Sequence, residues 1–475
     1  MAEFMAMSFA EKVDLIDGMI WGTPMIVLIL FTGILLTLRT GFVQVLRLPK
    51  ALRFMVQNEE GGEGEVTSFG ALCTALSATI GTGNIVGVAT AICAGGPGAL
   101  FWMWLAAFFG MATKYAECLL AIKYRTIDEK GHVLGGPFYY IERGMGKSWT
   151  WLAKLFALFG AGAGLLGIGT VTQVNGIAGA VERLFDPEKA HIAFTVGEYS
   201  YTWALTITAV LAAIFTAAVI IGGIKRISTV AQLIVPFMAV FYIVVCVTIL
   251  IVNASAIPAA FESIFAGAFT GTAAVGGFAG AVMKEAIQKG VARGIFSNEA
   301  GLGSAPIAAA AASTKSCVRQ GLVSMTGVFI DTIIICTMTG LAIVLTGAWH
   351  QEGLEGVAVT SYAFSHGMSF APFIGQVCVT LSLVFFAFTT ILGWDYYAER
   401  CVEYLTNGKM GVVKVYRYLW ILAVLVGPFL ALDVVWDIAD ALNGLMAFPN
   451  LIALLALSGV VAKESKDYFK TLKDK

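Results

Sequence analysis

Charge is what this sequence has least of. Of its 475 residues only 13% are Asp, Glu, Lys or Arg, while 58% are apolar. A soluble domain carries about 25% charge, so the composition implies a polytopic, all-α membrane protein embedded in lipid. The formal net charge is −1, which leaves no basic footprint and excludes a nucleic-acid partner. Histidine is nearly absent. His132, His191, His350 and His366 all fall between the apolar runs, and none has a metal-ligand partner three or four residues on. An intramembrane enzyme would need a metal or a nucleophile–base pair, and no span supplies a histidine for either. The eight cysteines form no CxxC pair, and most sit inside apolar runs as small core side chains. A basic n-region is missing too: Glu3, Glu11, Asp14 and Asp17 oppose Lys12 alone, so the amino terminus does not read as a signal peptide.

What is there is a series of apolar runs of spanning length. They cover Met19–Leu38, Phe69–Ala94, Ala99–Tyr124, Trp151–Val181, Tyr201–Gly222, Val230–Val252, Phe261–Met283, Leu322–Thr346, Pro372–Tyr404, Val412–Phe429 and Val435–Val461, eleven in all. The connectors are short enough for the positive-inside rule to apply to each. With the amino terminus outside, 26 of the 30 basic residues fall on the inner side; Lys12, Arg183 and Lys189 fall outside and Lys114 within a span. The expectation is an integral plasma (inner) membrane protein with its amino terminus outside and its carboxyl terminus cytoplasmic.

One stretch is poor material for an uninterrupted helix. Ser77-Ala78-Thr79-Ile80-Gly81-Thr82-Gly83-Asn84 lies in the middle of the second run, with two glycines, two threonines and an asparagine. Small residues at this depth also let helices pack closely. A second cluster, Phe269-Thr270-Gly271-Thr272-Ala273-Ala274-Val275-Gly276-Gly277-Phe278-Ala279-Gly280, lies in the seventh run at the same depth. It falls five crossings later, and so enters from the opposite side. Two interrupted helices in inverted orientation predict an inverted-repeat secondary transporter with its site at the breaks.

The chemistry follows from the gap. Where helix resumes after Gly81-Thr82-Gly83, free N–H groups and the positive dipole end suit a carboxylate. Where the preceding half-helix stops, free carbonyls and hydroxyls are hard oxygen ligands for an ammonium group or a sodium ion. Phe278 and Trp394 would wall the pocket. Phe386, Thr389 and Thr390 share one helix face and would form half of a cation site, unless the hydroxyls bond back to their own helix. Gln173 and Asn175 follow the glycine-dense fourth run, whose spacing suggests close helix contact and no chemistry. Among ionisable groups at depth, Asp331 would neutralise a cation or pair with a basic residue. Lys114 and Glu117, three apart, are expected to form an internal ion pair. Asp395 is expected to pair with basic residues near the inner end, and Asp433, Asp437 and Asp440 to complement the start of the last helix.

The residues resemble a known family. Ser77-Ala78-Thr79-Ile80-Gly81-Thr82-Gly83-Asn84-Ile85-Val86-Gly87 is similar to the first-core-helix signature of the sodium:alanine/glycine symporters. Gly294-Ile295-Phe296-Ser297-Asn298-Glu299-Ala300-Gly301-Leu302-Gly303-Ser304-Ala305-Pro306 resembles their loop between the two halves, and Phe329-Ile330-Asp331-Thr332 and Gly393-Trp394 also fit. The resemblance implies the five-plus-five inverted repeat of the bacterial leucine transporter, with two discontinuous helices. The corresponding division is 1–66 for an extra helix and connector, 67–253 and 258–461 for the two repeats, and 462–475 for a cytoplasmic tail. It implies import of a small zwitterionic amino acid, alanine or glycine, with sodium by alternating access. Gly81, Thr82, Gly83, Asn84, Gln173, Gly276, Gly277, Phe278 and Trp394 would contact the substrate. Ser77, Ile80, Phe386, Thr389 and Thr390 would bind one sodium ion, and Thr79 and Asp331, near Asn84, a second. Asp331, a carboxylate where superfamily relatives carry a neutral amide, keeps open a proton-coupled carrier of the same fold. A channel is the less favoured reading, because the polar residues cluster at one depth instead of lining a pore. The motifs leave preference between alanine and glycine, and oligomeric state, open.

Overall fold

The structure, a computed structural model, describes residues 7–471 apart from 58, 60, 130, 198, 270–278 and 431. The helices that build the bundle begin with α1 (Phe9–Ile20) and α2 (Thr23–Arg39). Five passes follow: α3 (Ser68–Thr79) with α4 (Val88–Gly95), α5 (Gly98–Tyr124), α6 (Thr150–Leu166) with α7 (Val171–Phe185), α8 (Trp203–Ile220) and α9 (Gly223–Val252). After a peripheral α10 (Ile257–Phe269), five more are built from α11 (Ala279–Asn298) with α12 (Ala305–Ala310), α13 (Cys317–Val328) with α14 (Thr337–Leu345), α15 (Pro372–Leu405), α16 (Met410–Val426) and α17 (Leu432–Thr471). Among the described residues nine helical stretches are long and apolar enough to cross a membrane, and α3 with α4, bent by 51° at their break, makes a tenth.

Caps fix where several of these helices start. Thr67 accepts the Gly70 N–H at 3.0 Å ahead of α3, Thr202 the Leu205 N–H at 3.2 Å ahead of α8, and Ser316 the Arg319 N–H at 3.3 Å ahead of α13. Pro306 and Pro372 stand in the first turns of α12 and α15, where no N–H is missed. The bundle is organised on α5, 78% of whose apolar window is buried; for α16 the figure is 28%, so its apolar outer face meets the surroundings. Val240, Val244 and Ile251 of α9 and Leu419 and Leu422 of α16 are likewise exposed. Apolar surface on this scale is stable in hydrocarbon, and the chain is an integral membrane protein.

Two faces are told apart by their connections. The short hairpin of β2 (Ile192–Val196) and β3 (Tyr199–Thr202) marks one face, and the end of α17 marks the other. On this second, tail face the parallel pair β1 (Val66–Thr67) and β4 (Ala312–Ser313) ties the start of α3 to the end of α12. The α3–α4 pass therefore leaves the tail face, whereas α11–α12 arrives at it. This opposition is the inverted repeat, and the fold is of the leucine-transporter type, preceded by α2.

The seventh pass departs from the expected run over Phe261–Met283. Residues 270–278 lie outside the described residues, and with them Gly276, Gly277 and Phe278. On either side, α10 packs along the first turns of α5, with Phe269 stacked edge-on against Phe101 and Gly267 tight against Gly98. The pass that follows α5 towards the tail face is α11 and α12: Gly290 meets Ala99, Gly294 meets Met103, Ala300 meets Gly110, and Arg125 donates to Ala310 and Ala312 carbonyls at 2.6 Å. It hides from a count of apolar runs because α11 carries Lys284, Glu285, Gln288, Lys289 and Arg293. Those three basic residues therefore belong to the hairpin-face half. The basic residues then divide as 23 on the tail side against 6, with Lys114 between.

Candidate functional site

Three interruptions converge near mid-depth. The first lies between α3 and the π-helical turn Gly83–Gly87 that leads into α4, with Ile80 in extended conformation. Its peptide groups are held by side chains, one from the break itself and two from other helices. Gly81 N–H donates to Asn84 Oδ1 at 2.9 Å, Thr82 N–H donates to Gln173 Oε1 at 3.1 Å, and Thr390 Oγ1 donates to the Ile80 carbonyl at 3.3 Å. A Cβ on Gly81 would sit 2.4 Å from Thr390 Oγ1 and 3.0 Å from Gln173 Oε1, so only glycine fits there. Thr82 is fully buried and its hydroxyl has no partner among the described residues. Gly83 is tight against Ser297 of α11.

The expected cation ligands are also brought together. Thr389 donates to the Phe386 carbonyl at 3.0 Å, and the single Thr390 O–H is shared between Phe386 O at 3.0 Å and Ile80 O at 3.3 Å. Ser77 donates to Thr74 O at 2.8 Å, and Ser77 Oγ lies where a Cβ on Gly393 would be 2.8 Å away. The hydroxyls do bond back to their own helices, which leaves their second lone pairs free to accept or ligate. Carbonyls at the end of α3, Ile80 O and the face of α15 thus form one oxygen-rich pocket of the type hard cations prefer.

The glycine-dense fourth run is itself broken. Helical bonding lapses over Gly167–Thr170, where the Thr170 hydroxyl donates to Leu165 O at 2.6 Å and Gln173 Nε2 donates to Ile168 O at 2.8 Å. Gln173 thus clasps this break with one end of its amide and the first break with the other. The expected close contact is there as well, between Gly160 and Cys401 and between Gly164 and Trp420.

Among the described residues, the interruption that mirrors the first lies between α11 and α12, at Glu299–Ser304. Glu299, Gly301 and Gly303 have φ of +57°, +95° and +81°, left-handed values that stop the helix. This stretch reads from sequence as a loop between halves; the structure makes it the second broken helix. It is held by buried polar groups. Glu299 Oε1 accepts the Trp394 indole N–H at 2.6 Å and Oε2 accepts Ser304 Oγ at 2.6 Å. Glu117 Oε1 accepts from Gly301 N at 3.1 Å and Asn450 Nδ2 at 2.6 Å, and Asn450 also donates to Gly301 O at 2.9 Å. Asn298 Nδ2 donates to Thr332 Oγ1 at 3.0 Å.

Asp331 joins the two principal breaks, accepting from Asn84 Nδ2 at 2.7 Å, Ser297 Oγ at 2.8 Å and Thr332 Oγ1 at 2.7 Å. Thr79, expected beside it, instead bonds back to Ala75 O and Leu76 O at 3.2 and 3.3 Å. Two other expected pairings do not form. Lys114 Nζ is buried without a hydrogen-bond partner among the described residues; Glu117 turns its Oε1 to Gly301 and Asn450, and its Oε2 is likewise unbonded. Both Asp395 oxygens are similarly unbonded, since Arg417 binds Glu399 with two hydrogen bonds, at 2.5 and 2.8 Å. Asp440, far from serving a helix start alone, pairs with Arg293 at 2.8 Å. Glu299, Ser297, Asn298 and Asn450 were not singled out from sequence; the positive-φ glycines flanking a buried carboxylate are the signal that marks the first three.

From the hairpin face a cavity of about 610 Å³ runs inward between Val86, Thr90, Asn175, Gly176, Arg183 and Trp436. Gly176 at its wall is so close to Thr82 that a Cβ would lie 2.8 Å from the Thr82 methyl. The tail face is latched. His132 sits between Glu403 (3.0 Å) and Glu65 (3.2 Å), and Arg400 pairs with Glu403 at 2.7 Å. Hydrogen bonds to the two carboxylates push the His132 pKa up to about 9, against burial and the neighbouring Arg400 guanidinium.

Comparisons with known proteins bear on the family and the fold. The sodium:alanine symporter family model matches residues 6–475. A transporter of Haemophilus influenzae, not further characterised, is 54% identical over 98% of both chains. The sodium/alanine symporter AgcS of Methanococcus maripaludis is 50% identical over 97% of this chain and 98% of its own. Among solved structures, MhsT in complex with L-phenylalanine superposes with a TM-score of 0.55 at 15% identity, covering 86% of this chain and 99% of that one. The chain is a transporter rather than an enzyme, and it belongs to the sodium:alanine symporter family.

Proposed function

We propose that this protein imports small neutral amino acids, alanine or glycine, with sodium by alternating access. The observation that carries the reading is the gap at Ile80–Thr82. On one side it offers N–H groups held only by the exchangeable side-chain amides of Asn84 and Gln173. On the other it offers Ile80 O with the Thr390 hydroxyl. A carboxylate would replace the amide oxygens at Gly81 and Thr82, and carbonyl and hydroxyl oxygens would take the ammonium group and the ion. Gly81, Thr82, Gly83, Asn84, Gln173 and Trp394 are the proposed substrate contacts, joined by Gly276, Gly277 and Phe278 from the undescribed stretch. Ser77, Ile80, Phe386, Thr389 and Thr390 are the proposed sodium ligands. Thr79 and Asp331, near Asn84, remain the candidates for a second ion.

The relative AgcS, named a sodium/alanine symporter, supports the same substrate and ion. The 23-to-6 division of basic residues supports an extracellular hairpin face and amino terminus and a cytoplasmic tail face. Each sodium ion entering down 100 mV releases about 2.3 kcal/mol, and a tenfold concentration gradient adds about 1.4 kcal/mol. Together these support an accumulation on the order of hundreds-fold per ion.

The test is uptake of radiolabelled alanine into proteoliposomes with an imposed sodium gradient, against choline replacement at fixed pH. Uptake that stops in choline supports sodium coupling. Uptake that continues in choline and follows a pH gradient would transfer the coupling to a proton at Asp331, which two hydrogen bonds tie to the two broken helices.

A further inference from the structure

Trp394 is held from outside the pocket it would wall. The side chain is fully buried, and Gly169, in the break between α6 and α7, lies against it so tightly that a Cβ would come within 2.8 Å of Trp394 Cβ. One turn back on α15, Thr390 reaches Ile80 O of the first break; Trp394 itself reaches Glu299 of the second. All three interrupted passes therefore meet one turn of α15.

Glu299 divides its two oxygens between separate tasks. Oε2 takes the Ser304 hydroxyl and closes the turn that leads into α12. That task is local, and an uncharged acceptor would perform it. Oε1 leaves the turn and takes the indole N–H of a residue on another helix, at the short distance of a charge-assisted bond. Burying a carboxylate at this depth costs several kcal/mol unless its lone pairs are filled. Here the backbone is also held at φ +57°, a conformation non-glycine residues rarely adopt. A buried carboxyl group on a strained backbone, with half its bonding capacity spent on one tryptophan, is built to fix that tryptophan.

We propose that Glu299 is a positioning residue for substrate selection. It locks the plane of the Trp394 indole as the end wall of the pocket, and so sets the largest amino-acid side chain the protein accepts. The inference rests on the amino-acid symporter reading above and adds a determinant of its specificity.

The test uses the full-length protein as wild type, Glu299→Ala, Glu299→Gln, Trp394→Phe and the Glu299→Ala/Trp394→Phe double variant. Two readouts are taken over a ladder of glycine, alanine, serine, valine and leucine: competition with labelled alanine uptake, and thermal stabilisation of the purified protein. Glu299→Gln keeps an acceptor oxygen and is expected to keep the steep wild-type ladder. Glu299→Ala and Trp394→Phe each break the bond and are expected to flatten the ladder towards valine and leucine. Loss of a charge-assisted bond also raises the alanine KM about tenfold or more, with a smaller change in maximal rate. The double variant is expected to match either single one. A wild-type ladder in Trp394→Phe, a Glu299→Ala protein changed in maximal rate alone, or single effects that multiply in the double variant would each overturn the proposal. If Glu299→Ala does not fold, Glu299→Leu, which fills the same space without an acceptor, takes its place in every comparison. Failure of the wild type to couple uptake to sodium strikes the symporter reading instead, because the stabilisation ladder needs no gradient.

Discussion

Asn84 donates its side-chain amide to Asp331 at 2.7 Å, joining the first broken helix to the turn of helix between α13 and α14. Ser297, at the end of α11, donates to the other oxygen of the same carboxylate at 2.8 Å. One side chain therefore senses both discontinuous helices, and a change at either break is transmitted to the other through rigid, buried contacts. Alternating access requires the two breaks to act together, and Asp331 is the shortest polar route between them.

Replacing that carboxylate tests the link. Asp331→Ala leaves Asn84 Nδ2, Ser297 Oγ and Thr332 Oγ1 without their shared acceptor. Hydrogen bonds to a charged group contribute roughly 1.5–3 kcal/mol each, so a lower thermal midpoint is expected together with at least a tenfold loss of uptake. Asp331→Asn preserves one acceptor and recovers part of the stability, but not the uptake. Equal uptake in Asp331→Asn and wild type would remove the charge from the mechanism.

Gln173 makes a different prediction, because its amide joins two breaks through its two ends. Gln173→Ala frees Thr82 N–H and Ile168 O together. Alanine affinity is expected to fall by roughly tenfold, since the peptide group that would meet the substrate carboxylate loses its preset orientation. Asn175→Ala is the comparison. Its amide only grazes Gly427 O and Leu430 O at 3.5 and 3.4 Å, so a much smaller change in affinity is expected. Binding measured by competition separates the two; parity between them would mean Gln173 is merely structural.

The sodium ligands are tested by dose, not by loss. Thr390→Val and Thr389→Val remove a hydroxyl from the α15 face while keeping shape, and each is expected to raise the sodium concentration for half-maximal uptake several-fold. Ser382→Ala, whose hydroxyl is engaged with Cys378 O at 2.8 Å two turns away, should leave that concentration unchanged. A flat response across all three would send the ion elsewhere.

The first break was legible because its residues contradict their surroundings: glycine, threonine and asparagine in mid-membrane have few other uses. The second was harder, since two glycine clusters compete for the role. The one over 269–280 sits in an apolar run, while the one over 294–306 carries Asn298 and Glu299 and so looks like a loop. A carboxylate becomes tolerable at depth only once Trp394 and Ser304 fill its lone pairs, and those partners are distant in sequence. Lys114 and Glu117 teach the same lesson. Their spacing puts them on one helix face, but Glu117 turns its Oε1 to Gly301 and Asn450 and leaves Oε2 unbonded, and no local pattern encodes the proximity of those partners.

The tail-face latch carries a pH dependence of known sign. His132 bridges Glu65, just ahead of α3, and Glu403, near the end of α15, so the latch joins the first broken helix to the helix bearing Thr390. Release of substrate on this face would have to separate them. With its pKa raised to about 9 by the two carboxylates, the histidine is an imidazolium at neutral pH. The closed state gains this stabilisation in full below the ordinary histidine value of about 6.5 and loses it as pH rises through about 9. Between pH 7 and 8.5 opening of the tail face should therefore become easier, on the order of tenfold. A cysteine placed at Ser313 in a cysteine-free background reports this as its labelling rate by an impermeant thiol reagent. His132→Gln, labelled in parallel, cancels the intrinsic rise in thiolate and should show high labelling at every pH. Identical pH profiles in the two proteins would mean that the latch does not govern opening.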